Sequence, residues 1–168
     1  MKLKLILTTL ALSSALLAKA QATDDNPKYS IDVKTGFTIT CTDGFGDFSI
    51  FPLAGITGDI HVSPLPFYIE TGIEYMKRQH WGYDNHSFVI PAIISYRIAL
   101  PKNLTLYPFF GPYLSYGFNH NEVDDGIRLG AGIRRGKYSA TLGYDISTTY
   151  GDDDDALFLT IGYNIWKK

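Results

Sequence analysis

Hydrophobic and polar residues alternate along most of this chain with a period of two. The clearest case is the last stretch, Leu157 to Trp166. Leu157, Leu159, Ile161, Tyr163 and Ile165 fall on one side of it, and Phe158, Thr160, Gly162 and Asn164 on the other. Successive strand side chains point to opposite faces, so such a segment is greasy on one side and small or polar on the other. A strand that crosses an outer membrane within a barrel is built this way, with its apolar side to lipid.

Seven earlier segments repeat the pattern, and with the last they predict strands at Tyr29–Cys41, Leu53–Val62, Phe67–Arg78, Phe88–Ile98, Leu104–Phe118, Ile127–Arg134, Tyr138–Tyr150 and Ala156–Trp166. About 9–11 residues suffice to span a membrane when a strand tilts near 45°. The connections after the second, fourth and sixth strands are short, as in Arg135-Gly136-Lys137. Those after the odd-numbered strands are mostly longer and more polar, around Thr42–Pro52, Gln79–Ser87, Asn119–Gly126 and Gly151–Asp155. Short periplasmic turns, longer outer loops and an even strand count characterise outer-membrane barrels. The sequence therefore predicts an all-β fold: an eight-stranded antiparallel up-and-down transmembrane β-barrel with a filled polar lumen and both termini in the periplasm.

The two faces sharpen that expectation. Within these segments the outward positions, such as Ile31, Val33, Ile56, Ile73, Ile90, Ile98, Leu129, Leu142 and Ile161, include no Asp, Glu, Lys or Arg. A Lys or Arg there costs about 2–4 kcal/mol at mid-membrane. The inward face carries five acids, Asp32, Asp59, Glu70, Glu74 and Asp145, and five bases, Lys34, Arg78, Arg97, Arg128 and Arg134. Buried ions need partners, so near-equal numbers predict a structural charge network plugging the interior. Eight strands leave room for little more than side chains, and inward glycines such as Gly132 and Gly143 make space for Arg and Tyr. Aromatic girdles are expected at the two membrane boundaries: Tyr29, Phe67, Tyr96, Tyr138 and Tyr163 at one, Tyr75, Phe88, Tyr116 and Phe118 at the other.

The start of the chain reads as an export signal. Lys2 and Lys4 precede an apolar run from Leu5 to Leu17, and Ala18-Lys19-Ala20 supplies a small-residue cleavage site. Residues 1–20 are thus expected to be a cleaved signal peptide, 21–28 a periplasmic N-terminal segment, and 29–168 the barrel. Composition adds 14% aromatic residues, 16 Gly and a mean hydropathy of −0.03, as expected when the two faces alternate. A net charge of −2 gives no basic footprint for nucleic acid. The single Cys41 forms no internal disulfide and reads as a small hydrophobe.

Candidate chemistry is sparse. Asp152-Asp153-Asp154-Asp155 offers oxygen ligands for Ca²⁺ but lacks alternating ligand spacing, so a solvated loop is the plainer reading. His61 and Ser63 evoke an outer-membrane lipid hydrolase, yet they flank a Pro-containing turn rather than a nucleophile site. The loop from His80 to His86 offers two histidines and aromatics to a metal or glycan, though it also reads as an ordinary surface loop. Glu70, Glu74 and Arg97 suit an ion path, or structural pairing in a filled lumen.

The run Leu104-Thr105-Leu106-Tyr107-Pro108-Phe109-Phe110-Gly111-Pro112-Tyr113-Leu114-Ser115-Tyr116-Gly117 resembles the central signature of the PorT-like outer membrane protein beta-barrel domain family. Gly130-Ala131-Gly132-Ile133, Leu142-Gly143-Tyr144-Asp145-Ile146 and Phe158-Leu159-Thr160-Ile161-Gly162-Tyr163 are similar to its later strands. The resemblance implies a small outer-membrane barrel with no catalytic motif to carry over, and a family whose namesake is associated with protein secretion.

Together these readings lead to an expected non-enzymatic outer-membrane barrel with an envelope-structural or loop-mediated binding role. No cofactor, metal or catalytic residue is expected. The expected partners are outer-membrane lipid, the barrel-assembly machinery, and an extracellular or envelope protein of unknown identity, with no nucleic acid. A lipid-modifying enzyme and a secretion accessory are the alternatives.

Overall fold

A computed structural model describes residues 27–42, 47–62, 65–80, 83–119, 121–149 and 155–168. The expected signal peptide lies outside the described residues, as do most of the expected 21–28 segment, Ser63, Trp81 and Asp152–Asp154.

The described residues form nine β-segments: β1 (Tyr29–Thr42), β2 (Asp47–Val62), β3 (Phe67–His80), β4 (Tyr83–Tyr96), β5 (Ile98–Leu100), β6 (Leu104–Gly117), β7 (Glu122–Arg135), β8 (Tyr138–Ser147) and β9 (Ala156–Lys167). Consecutive segments pair antiparallel except β4 and β5, β1 pairs with β9, and β4 pairs with β6. β5 continues β4 past Arg97 without a change of register, because Ser95↔Phe109 and Ile98↔Leu106 lie on one continuous diagonal. Eight staves therefore close a barrel. Closure pairs the backbone of both end strands, which a lipid environment demands of any sheet.

Several strands run farther than the apolar alternation predicts. β2 begins at Asp47 rather than Leu53, β4 at Tyr83 rather than Phe88, and β7 at Glu122 rather than Ile127; β8 instead stops at Ser147, short of Tyr150. Ladder hydrogen bonds need no greasy side chains, so hairpins continue into polar sequence where hydropathy is silent. The connections at 43–46 and 81–82, expected to be long, are correspondingly short.

At the other end, β6 follows a three-residue turn in which Lys102 and Asn103 have φ of 65° and 57°. The two-residue turn from β7 to β8 places Gly136 at φ 61°, where an L side chain is strained. Proline is absorbed locally. The β4–β6 ladder is interrupted between Pro91↔Tyr113 and Ile94↔Phe110, a stretch that includes Pro112. On its other side β6 pairs with β7 without a gap. A proline forfeits only the bond on the side its nitrogen faces.

Which face looks outward is decided by exposure. Ile73, Leu142 and Ile161 are 56%, 53% and 63% exposed, whereas Glu74 and Arg128 are 2% and 1% exposed. The barrel is greasy outside and charged within. Ile98, expected in the outer belt, is a correction: it keeps the outward phase but is buried.

Candidate functional site: the barrel interior

Inward positions on neighbouring strands bring distant charges together in layers. Nearest the termini, Asp59 of β2 accepts hydrogen bonds from Arg97 Nη2, from Arg134 Nη2 at 3.4 Å and from Ser30 Oγ at 3.1 Å. Asp32 of β1 accepts from Arg134 Nη2 and from Asn164 Nδ2, the latter at 2.7 Å. Lys34 Nζ meets Glu70 Oε1 at 2.5 Å. The Arg97 guanidinium lies 3.4 Å from the Tyr68 ring centroid, and Tyr68 stacks on His61 at 4.7 Å. Cation–ring stacking suits arginine because its planar, weakly hydrated head loses little on leaving water.

A second layer is built around Arg128 of β7. Nε and Nη2 donate to the two oxygens of Asp145 at 2.6 and 2.9 Å, and Nη1 donates to Glu74 Oε2 at 2.5 Å. The Phe158 ring lies beneath the guanidinium, 4.5 Å to its centroid. Two-pronged pairing with one carboxylate and a third bond to another satisfies the planar fork in fixed geometry. All five predicted inward acids thus contact a cation, and Lys34, Arg97, Arg128 and Arg134 supply it. The fifth predicted base, Arg78, lies in β3, but its side chain is outside the described residues.

Glycines let this interior close. A side chain at Gly132 would collide with the Tyr107 ring, and one at Gly143 with the Phe158 ring. Tyr107 Oη in turn shares a hydrogen bond with Thr141 Oγ1 at 2.8 Å. The free space among Lys34, Glu70, Glu74, Tyr107, Arg128 and Phe158 is about 10 Å³, room for roughly one water. Glu70, Glu74 and Arg97 are each engaged by a different partner, Lys34, Arg128 and Asp59 respectively.

One feature escaped the sequence reading. Beside and beyond Arg128, Leu53, Met76, Val89, Ile93 and Tyr113 are buried in one apolar cluster with Tyr107, Phe109 and Phe158, interleaved with buried Thr38, Thr40, Ser87 and Ser115. The signal was present, since all of these residues have the inward parity of their strands.

The aromatic bands assemble as contacts on adjacent strands. Phe67–Tyr96 and Tyr138–Tyr163 have centroids 5.2 and 5.3 Å apart near the terminal rim. Phe88 meets Phe118 at 4.6 Å and Tyr75 at 6.5 Å, with Tyr116–Phe118 at 5.8 Å, near the loop-bearing rim. Tyr29 is exposed at the start of β1.

The remaining sequence candidates sit elsewhere. His61 Nε2 bonds to the Leu65 carbonyl at 2.9 Å, so the ring ties down its own turn. His86 Nδ1 pairs with Tyr75 Oη at 2.5 Å. Asp155 accepts from Ser147 N at 3.1 Å and Tyr144 Oη at 2.9 Å. Among the described residues no three His, Cys, Asp or Glu side chains converge as metal ligands.

No family model matches the sequence, and no curated protein does. The PorT-like resemblance therefore has no support from that side. Solved structures are similar in fold. The N-terminal β-barrel domain of Pseudomonas aeruginosa OprF is 14% identical, with a TM-score of 0.53, over 83% of this chain and 100% of that one. Ail, the attachment invasion locus protein of Yersinia pestis, is 14% identical with a TM-score of 0.52, over 83% and 99%. Neisserial surface protein A is 11% identical with a TM-score of 0.54, over 81% and 96%. This chain has the fold of small outer-membrane barrels.

Proposed function

We propose that this protein is a non-enzymatic barrel of the outer membrane, termini toward the periplasm, with a structural or loop-presenting role rather than a channel's. The observation that carries this is the middle of the lumen, where ion pairs and aromatic rings around Lys34, Glu70, Glu74 and Arg128 leave about 10 Å³ of free space, within a wall whose outward face is apolar. Eight staves give a solid cylinder, and a solid cylinder can anchor, brace or display. Folded protein should appear in the membrane fraction, migrate differently on gels before and after boiling, and give no stepwise current in planar bilayers. Recovery as a soluble periplasmic protein would defeat the membrane reading, and discrete conductance would defeat the closed lumen.

For loop-mediated binding, charge indicates the class of partner. Ail has been solved with the heparin analogue sucrose octasulfate, a polyanion. Here the loop-bearing end carries Glu122, Asp124, Asp125 and Asp155, which suits a cationic partner instead. Binding of a basic rather than a sulfated ligand to whole cells, lost on loop deletion, is the discriminating result. A lipid-modifying role is tested by lipid A profiles with and without the gene. A secretion role, resting on family resemblance alone, is tested by the secreted proteins of a deletion strain.

A further inference from the structure

The small net charge hides a separation along the barrel axis. At the rim that holds both termini, Lys28, Lys102, Arg135, Lys137, Lys167 and Lys168 are all exposed, on strand ends and turns. Glu122, Asp124, Asp125 and Asp155 lie toward the opposite rim. A basic collar at the periplasmic boundary faces the phospholipid leaflet, where anionic headgroups lie.

Above one part of this collar the outer wall is hollow. An apolar groove of about 200 Å³ runs between Leu106 and Ile133 on one side and Leu142 and Leu159 on the other, over Ala131 and Ala140. Strand register explains it. Leu106↔Ile133↔Ala140 and Ala131↔Leu142↔Leu159 are successive outward rows, so the two alanines lie diagonally among branched neighbours. The next outward row toward the rim is Leu104↔Arg135↔Tyr138↔Tyr163. Two residues of strand separate rows, roughly 7 Å. Lys137 closes the end of this row, its Nζ 5.7 Å from the Tyr163 ring centroid.

We propose that this wall, β6 to β9, seats one anionic phospholipid, with an acyl chain in the alanine groove and the headgroup phosphate on Arg135 and Lys137. The proposal rests on the reading that the barrel spans the outer membrane with its termini toward the periplasm. An empty groove would forfeit dispersion contacts along its lining, and a flexible chain fills it better than another rigid barrel wall. Cations near a membrane surface each add to attraction for acidic lipid, and here they stand within headgroup reach of the groove's end. Apolar groove and cationic end together select a lipid that carries both a chain and a net negative charge.

The test uses the full chain reconstituted in bilayers of phosphatidylethanolamine and phosphatidylglycerol, extracted gently and weighed intact by native mass spectrometry. The wild type should retain phosphatidylglycerol in preference to phosphatidylethanolamine. Arg135→Gln with Lys137→Gln should reduce that preference roughly tenfold. Ala140→Leu should abolish retention with every charge in place. Ala92→Leu, an exposed alanine on β4 outside the groove, should leave retention unchanged. Equal retention of both lipids, indifference to Ala140→Leu, equal loss with Ala92→Leu, or a barrel dimer in place of bound lipid would each overturn the seat. Failure of the membrane reading is distinguishable, because the protein would then not enter bilayers or shift its gel migration on heating.

Discussion

The two halves of the barrel interior solve one packing problem with opposite chemistry. Toward the termini the space is filled by ions: Asp59 with Arg97 and Arg134, Asp32 with Arg134 and Asn164, Lys34 with Glu70. Toward the loops it is filled by Leu53, Met76, Val89 and Tyr113 together with the small hydroxyl side chains of Thr38, Thr40, Ser87 and Ser115. The Arg128–Glu74–Asp145 triad stands at the junction, with Leu53, Met76 and Tyr113 one inward row beyond it. An ionic filling is all-or-none, since removing one member leaves a buried charge unanswered. A carbon filling is graded, since its loss scales with the volume removed. The apolar half also keeps bulk water off the triad, and a lower local dielectric strengthens each pairing.

The largest effect should come from breaking the triad. Arg128→Met removes the cation that Glu74 and Asp145 share, at a cost of about 3–5 kcal/mol, measured by urea unfolding in detergent micelles. Adding Glu74→Gln and Asp145→Asn should recover most of that loss. If the triple variant is as unstable as the single one, size rather than charge holds the junction. In the apolar half, Leu53→Ala should cost about 2–4 kcal/mol, and no polar second substitution should rescue it. That failure of rescue separates the two halves.

A smaller effect is expected at Gly143, where a methyl group would press on the Phe158 ring beneath Arg128. Gly143→Ala should destabilise by about 1–3 kcal/mol and should lose much of its effect when Phe158 is already Leu. The unfolding double-mutant cycle reads that coupling. Smallest of all, Lys102→Gln on the exposed rim should stay within about 0.5 kcal/mol. A larger change there would mean that the collar stabilises the fold as well as facing the headgroups.

Much of the architecture was legible because a strand's period of two is rigid. Once Ile73 points outward, Glu74 points inward, and the same logic places Arg128 and Asp145 on the inner wall. The polar strand extensions were not legible, because Asp47 and Glu122 pair through backbone alone and carry no hydropathy signal. Ile98 is buried for a related reason: its phase follows from sequence, but its covering depends on neighbours that alternation does not specify.

The candidate site divides the same way. Sequence supplied the inward acids and bases and their near balance, but not the partnerships, since Arg134 and Asp32 are far apart along the chain and meet only across the barrel. Nor did it distinguish the apolar half of the lumen from a core strand face, because Leu53 and Val89 look alike in either setting. The groove over Ala131 and Ala140 needed the register of four neighbouring strands before two small residues became one hollow. By itself the sequence determined which side of each strand prefers water, a property of residue type and a two-residue period. Tertiary structure decided which inward charge answers which, because that depends on stagger and closure, quantities set only when all eight staves hydrogen-bond at once.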